Sequence, residues 1–98
     1  MRKNDIAILP VLERDVEQTL IFKVKSIGGL CEKFVSPNKR GVPDRLVTLS
    51  GGRIIFVECK RPGAKATEIQ LRDHARRRTL GCEVRVISTL EEAYAFPG

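Results

Sequence analysis

Two strand-like segments around a glycine turn constrain the fold more than any other part of the sequence. Residues 44–49 and 53–60 are rich in apolar and β-branched side chains, and Ser50-Gly51-Gly52 separates them. Glycine takes positive φ at little steric cost, so this connection is typical of a hairpin. A three-residue loop would place Asp44 opposite Glu58 on the same sheet face, whereas a two-residue loop would turn Asp44 to the other face.

The second strand ends in charged residues. Residues 54–60 read IIFVECK, so an apolar run continues directly into Glu58 and Lys60. Residues two apart in a strand point to the same face, which places these two charges side by side. Charges removed from water need a partner or a metal ion. In the three-residue register two carboxylates, Asp44 and Glu58, meet one ammonium, and a divalent cation would keep both carboxylates ionised. Oxygen ligands without a His or Cys set favour Mg²⁺ or Mn²⁺ over zinc.

The first helix offers a further carboxylate. Apolar residues recur three and four positions apart over residues 13–27 and form one stripe. Glu17 falls on this stripe, so we expect it to be paired or to coordinate the metal. Glu13, one turn earlier, shares the face and is the alternative. A third interpretation is that Glu17 is an ordinary, partly exposed helix residue.

The second helix begins close to the charged strand end. Thr67 and Gln70 have the spacing of a capping box, and Gly81 follows the last helical residue. Because this helix starts shortly after Lys60, Gln70 is expected near the carboxylates, although capping alone would explain it. His74 is interpreted as a structural or exposed residue, since a single histidine without an evident partner indicates no specific chemistry.

The predicted elements follow the order α-β-β-β-α-β-α. They are helices at 13–27, at 67–80 and after Thr89, and strands at 30–35, 44–49, 53–60 and 82–87. This order indicates an α/β fold with a mixed central sheet flanked by helices, in a single domain over residues 1–98. The sequence has no apolar segment long enough for a membrane span, and its three cysteines lack metal-ligand spacing, so we expect a cytoplasmic protein.

The charge balance favours a polyanionic partner. Eighteen Lys and Arg residues against twelve Asp and Glu give a net charge of +6. The residues that we expect to contact a DNA backbone lie in the predicted loops at the acidic end of the sheet, on the second helix or, in one case, in the strand at 30–35. They are Lys33, Lys39, Arg40, Arg61, Lys65, Arg72 and Arg76. The alternative interpretation is that these residues form a solvent-exposed basic face without a partner, and that Lys33 is an ordinary surface residue of its strand.

Several of these residues together resemble a known family. Gly41-Val42-Pro43-Asp44, then Glu58-Cys59-Lys60, then Gln70 are similar to the VRR-NUC family of the PD-(D/E)XK nuclease superfamily. The resemblance also takes in Glu17 and Lys33 and covers most of the chain. It implies a restriction-endonuclease-like PD-(D/E)XK fold, with VRR-NUC as the single domain.

The resemblance also implies metal-dependent hydrolysis of phosphodiester bonds. Asp44 and Glu58 would hold Mg²⁺ or Mn²⁺ with the backbone carbonyl of Cys59 and, through a water, Glu17. Lys60 would position or help deprotonate the attacking water. Gln70 would orient Lys60, the water or the phosphate.

Stand-alone members of this family resemble Holliday-junction resolvases that act as homodimers. The resemblance therefore implies a structure-specific DNA endonuclease that cleaves four-way junctions as a homodimer. Two alternatives stay open at this stage. One is the same chemistry on flap or linear duplex DNA in a repair or restriction assembly, and the other is a non-catalytic basic module that binds DNA.

Overall fold

The computed structural model describes residues 9–98, which form a four-stranded mixed sheet with helices packed against it. The elements are α1 (Glu13–Ser26), β1 (Leu30–Lys33), β2 (Arg45–Leu49), β3 (Arg53–Cys59), α2 (Glu68–Thr79), β4 (Glu83–Ile87) and α3 (Leu90–Ala95). The predicted order and fold class are confirmed. The predicted bounds differ from the observed ones only by a residue or two at element ends, where helices and strands fray.

The sheet has the strand order β1-β2-β3-β4. The β1–β2 and β2–β3 pairs are antiparallel, and the β3–β4 pair is parallel. A parallel pair needs a crossover connection, and α2 supplies it. Within residues 9–98 none of the helices has the length and apolar character that crossing a bilayer requires.

The register of the β2–β3 hairpin is the predicted one. The Ser50–Gly52 turn joins the strands, with φ of 83° and 80° at its two glycines. The ladder runs to Arg45 opposite Val57, so the next pair of positions brings Asp44 beside Glu58. The three-residue loop therefore fixes which end of the sheet the two carboxylates share.

The two faces of the sheet are covered differently. One face packs against α1 and α3 and forms the apolar core, whose buried members are Val16, Leu20, Val24, Val47, Ile55, Val57, Cys59, Ile87, Ala93 and Phe96. On the other face burial increases along β3: Ile54 is 49% exposed, Phe56 is half-buried and Glu58 is 1% exposed. The most deeply buried residue of this row is thus the charged one.

A polar cluster ties the loop between β1 and β2 to α2. Asp73 of α2, whose side chain is 1% exposed, lies 3.0 Å from the Nζ of Lys39 in the loop. Arg77 donates its Nε–H to Asp73 at 2.7 Å and lies over the rings of Phe34 and Phe56. A buried carboxylate with two cationic partners holds both segments in place, because losing either partner would leave charge uncompensated.

The same loop approaches α2 closely at Gly41. Gly41 has φ of 83°, and a Cβ placed there would lie 2.5 Å from the Cγ2 of Ile69 and 2.9 Å from its carbonyl oxygen. Only glycine combines this backbone conformation with this contact. The Gly41–Asp44 segment is therefore docked against the first turn of α2, which positions Asp44.

We expect Gly41→Ala to destabilise the protein more than Gly63→Ala. Gly63 has the same positive φ, 84°, but a Cβ there meets nothing within 4 Å among the described residues. The strain of a left-handed alanine, about 1–2 kcal/mol, is thereby matched in the two variants. The overlap with Ile69 should cost Gly41→Ala at least about 1 kcal/mol more, measured by urea unfolding. Equal losses would show that the loop does not depend on this contact.

Candidate functional site

Glu58 is a buried carboxylate at the end of β3 with three polar neighbours. Its Oε2 accepts a hydrogen bond from the Nε2 of Gln70 at 3.1 Å and lies 3.9 Å from the Nζ of Lys60. Its Oε1 lies 3.6 Å from the Nε2 of His74 and has no hydrogen-bond partner among residues 9–98. The structure thus brings together Glu58, Lys60 and Gln70, as predicted from the sequence.

Asp44 is held against the same strand end by the backbone. Its Oδ2 accepts a hydrogen bond from the amide of Cys59 at 2.8 Å. Its carbonyl oxygen accepts another from the amide of Phe34 at 2.9 Å, which extends the β1–β2 pairing by one step. Because Cys59 directly follows Glu58, the first bond places the two carboxylates next to each other.

The proximity of the carboxylates changes the acidity of Glu58. Burial and, next, the charge of Asp44 raise the pKa of Glu58 from its usual value near 4.5 to about 8, and Glu13 acts in the same direction. Lys60 opposes this rise. Because the folded pKa is raised, the folded protein binds more protons than the unfolded chain between these values. The stability contributed by this proton is lost as the pH rises through about 8.

The two glutamates of α1 have different surroundings. Glu17 accepts a hydrogen bond from the Nε of Arg45 at 2.8 Å, with side chains 28% and 17% exposed. Arg45 lies on the α1 side of the sheet, opposite Val57. Glu13 is near enough to Glu58 to raise its pKa. The expectation that Glu17 is paired or coordinated is met by Arg45, and its role at a metal stays a prediction.

Arg45 was missed from the sequence, although a signal for it exists. It follows Asp44 directly, and successive strand residues point to opposite faces. An arginine next to a carboxylate on the sheet's outer side must therefore point toward α1, where a glutamate on the helix stripe is the natural partner.

Gln70 both caps α2 and contacts Glu58, and its catalytic role stays a prediction. Its backbone amide donates to Thr67 Oγ1 at 3.2 Å, and its Oε1 accepts from the Thr67 amide at 2.9 Å. The predicted capping box is confirmed. Since a side-chain amide carries both acceptor and donor atoms, its Nε2 remains free to donate to Glu58.

His74 lies inside the protein, beside the carboxylate. It is 0% exposed, so of the two interpretations the exposed one is wrong and the structural one remains. Burial, together with the positive charge of Arg78, lowers the pKa of His74 and favours the neutral ring. The spacing of four residues from Gln70 was the available signal, because residues so spaced share a helix face.

Four of the predicted DNA-binding residues meet at one surface. A cavity of about 220 Å³ is lined by Lys39, Arg40, Ile69, Arg72, Asp73 and Arg76. A second cavity, of about 290 Å³, is lined by Arg40, Gly41, Thr67, Ile69 and Gln70. Arg40 and Ile69 border both cavities, so the basic surface continues to Gln70 and hence to Glu58.

The remaining predicted DNA-binding residues are placed elsewhere. Arg61 and Lys65 are exposed in the connection between β3 and α2, directly after Lys60. Lys33 is the last residue of β1 and lies opposite Arg45 in the ladder. The Arg45 side chain contacts α1, and residues directly opposite each other share a sheet face. The structure therefore does not bring Lys33 to the basic cavity beside α2.

The site fits a hard divalent cation through two carboxylates rather than a larger cluster. Over residues 9–98 no group of three His, Cys, Asp or Glu side chains is arranged to hold a metal ion. Asp44 and Glu58 repel each other, and the buried Oε1 of Glu58 is unbonded within that range, which are the conditions a cation relieves. Burial raises the pKa of the Cys59 thiol, so only its backbone carbonyl is a suitable ligand.

Comparisons with known proteins indicate the family of the chain. None of the protein-family models matches the chain. A protein of Acyrthosiphon pisum secondary endosymbiont phage 1, named "Putative nuclease p44", is 51% identical over 87 residues, which are 89% of this chain and 94% of that protein. A solved structure described as a VRR_NUC domain is 34% identical, with a TM-score of 0.78 over 83% of this chain and 88% of that one. The chain belongs to the VRR-NUC family of nucleases.

Proposed function

We propose that this chain is a Mg²⁺- or Mn²⁺-dependent endonuclease that hydrolyses phosphodiester bonds of DNA, acts as a homodimer and prefers four-way junctions. The observation that carries the proposal is the convergence of Asp44, Glu58 and Lys60 at one buried end of the sheet. A structural ion pair would need one carboxylate. Two adjacent carboxylates with one ammonium are the arrangement that a cation and a phosphate complete.

Asp44, Glu58 and the backbone carbonyl of Cys59 would hold the cation. When bound, a divalent cation lowers the pKa of its water and polarises a phosphoryl oxygen. A glutamate of α1 would complete the set through a water. The influence of Glu13 on the pKa of Glu58 favours Glu13 for this place, because Glu17 is already engaged by Arg45.

Lys60 and Gln70 supply the remaining chemistry from the protein. The Lys60 side chain is 13% exposed, and its ammonium lies 3.9 Å from Glu58. Because few water molecules surround it, its charge would act strongly on a phosphate bound at the site. There it would orient the attacking water, favour loss of the water's proton through its positive charge, and stabilise the negative charge that grows on the phosphate. Gln70 holds the Glu58 carboxylate while anchored to the helix start.

The basic cavity gives the DNA backbone a path to the site. Phosphates on one side of the scissile bond would lie against Arg40, Arg72 and Arg76, which border the cavity that leads to Gln70. Arg61 and Lys65 would contact the other side. Such contacts orient the duplex without reading bases, which suits an enzyme that recognises DNA structure.

The preference for junctions rests on the family resemblance and on symmetry. A homodimer carries two identical sites related by a twofold axis. A four-way junction presents two equivalent strands in the same relation. Dimerisation would also double the basic surface offered to the branched DNA.

Cleavage of end-labelled four-way junction, flap and linear duplex DNA tests this function. We expect symmetric nicks on the junction with Mg²⁺ or Mn²⁺ and none in EDTA. Lys60→Ala should slow cleavage by about a hundredfold to a thousandfold, because it removes a charge aimed at the transition state. Lys25→Ala, on the exposed far end of α1, is the matched control and should cleave normally.

Other outcomes of that experiment are decisive. Cleavage of flap or linear duplex in preference to the junction would replace the proposed substrate and keep the chemistry. Tight binding in EDTA with no cleavage of any substrate would contradict the enzyme and leave a DNA-binding module.

Metal binding should strengthen as the pH rises toward 8. In the metal-free protein the pKa of Glu58 is about 8, so at lower pH the cation must displace a proton. We expect the apparent Mn²⁺ affinity to fall by up to about tenfold for each pH unit below this value and to level off above it. Calorimetry in buffers of different ionisation enthalpy counts the released proton. An affinity that is constant from about pH 6 to about pH 8, without proton release, would contradict binding of the cation to a Glu58 of raised pKa.

Removing a phosphate contact should change the salt dependence of DNA binding. For Arg76→Ala we expect the slope of log K against log salt to become shallower by about 0.9, measured by fluorescence anisotropy in EDTA. Arg53→Ala is the control, since Arg53 starts β3, about 20 Å from the site by strand geometry. Equal slopes for the wild type and Arg76→Ala would remove the basic cavity from the DNA path.

A further inference from the structure

Glu58 and His74 face each other with unused hydrogen-bonding capacity. The Oε1 of Glu58 and both ring nitrogens of His74 are buried and have no hydrogen-bond partner in the described part of the chain. Buried polar atoms are bonded in the great majority of cases, so each exception needs an explanation. Here two of the exceptions, Glu58 Oε1 and His74 Nε2, lie 3.6 Å apart.

The chemistry of the carboxylate and the imidazole determines which of them can donate a hydrogen bond. An ionised carboxylate only accepts hydrogen bonds, whereas a neutral imidazole donates from one nitrogen. The two side chains that the structure shows donating to or pairing with Glu58, Gln70 and Lys60, both lie at Oε2, and Asp44 beside them is a second carboxylate. His74 therefore supplies the donor on the Oε1 side, provided that its proton is on Nε2.

We propose that His74 is a positioning residue for the metal ligand Glu58. Its Nε2–H donates to Oε1 when Glu58 is ionised and, together with Gln70 at Oε2, holds the carboxylate in one orientation toward the cation. The observed separation is about 0.4 Å beyond the usual upper limit of about 3.2 Å, and such contacts tighten when the ligand binds. The inference rests on the proposed metal site.

A purely structural histidine does not fit these observations. A ring that only fills space would be matched by phenylalanine, which carries no buried nitrogens to leave unbonded. A histidine kept for helix packing would be expected to bond a backbone carbonyl, and His74 has no such bond within residues 9–98. The carboxylate that the proposed nuclease chemistry requires lies 3.6 Å from its Nε2.

Mn²⁺ titration calorimetry on the full chain tests the proposal with four proteins: wild type, Glu58→Gln, His74→Phe and His74→Gln. We expect Glu58→Gln to abolish binding. His74→Phe keeps the ring volume but removes the donor, and should weaken Mn²⁺ affinity about tenfold to a hundredfold. His74→Gln places an amide donor near the position of Nε2 and should recover part of that loss.

The outcomes distinguish the positioning role of His74 from the metal site on which that role rests. No binding by the wild type, or equal binding by Glu58→Gln, would contradict the metal site itself. Loss in Glu58→Gln with wild-type affinity in His74→Phe would overturn the positioning role alone. Melting temperatures in EDTA accompany each titration, because a packing defect lowers them without changing the affinity of the folded protein.

A measurement on the wild type keeps the proposal testable if the variants do not fold. Nitrogen-15 NMR of the His74 ring in saturating Mg²⁺ identifies which nitrogen carries the proton. We expect a protonated Nε2 and a bare Nδ1. A proton on Nδ1, with bare Nε2 facing the carboxylate, would overturn the proposal.

Discussion

The hydrogen bond from the Cys59 amide to Asp44 Oδ2 is the contact on which the rest of the site depends. It joins the end of β3 to the residue just before β2, where the ladder between these two strands ends and the Gly41–Asp44 segment begins. Because the amide belongs to the residue after Glu58, the bond brings two carboxylates together. A register shifted by one residue would point Asp44 to the other face and separate them.

The placement of two acids together requires compensation, and α2 provides most of it. Its inner face carries polar residues with separate roles. Gln70 and His74 contact or face Glu58, while Asp73 and Arg77 hold the loop that leads to Asp44. One short helix therefore fixes both carboxylates, one directly and the other through its loop. These contacts let a small domain keep an ionisable residue at 1% exposure.

The parts of the site that the sequence predicts are those set by local geometry. The glycine turn determines the register, strand alternation pairs Glu58 with Lys60, and the capping box places Gln70 at a helix start. Each of these follows from spacing within one or two neighbouring elements.

The parts that the sequence did not predict depend on how α2 packs. Its buried residues are Asp73 and His74, whereas Ile69 and Leu71 are exposed, so hydrophobic periodicity indicates the wrong face. His74 is buried because α2 packs over the end of β3 that carries Glu58, and the sequence of the helix alone does not indicate this contact. The pairing of Arg45 with Glu17 likewise joins residues from separate elements, so strand alternation indicates the face of Arg45 but not its partner.

The most direct measurement is a crystal structure of the protein grown with Mn²⁺, with data collected at the manganese absorption edge. An anomalous peak is expected between the carboxylates of Asp44 and Glu58, within about 2.3 Å of an oxygen from each and near the carbonyl of Cys59. A nuclease centre built on the Asp44–Cys59 bond would be contradicted by the absence of a peak at these two carboxylates. A manganese ion bound elsewhere, for example at Glu17, would contradict it equally.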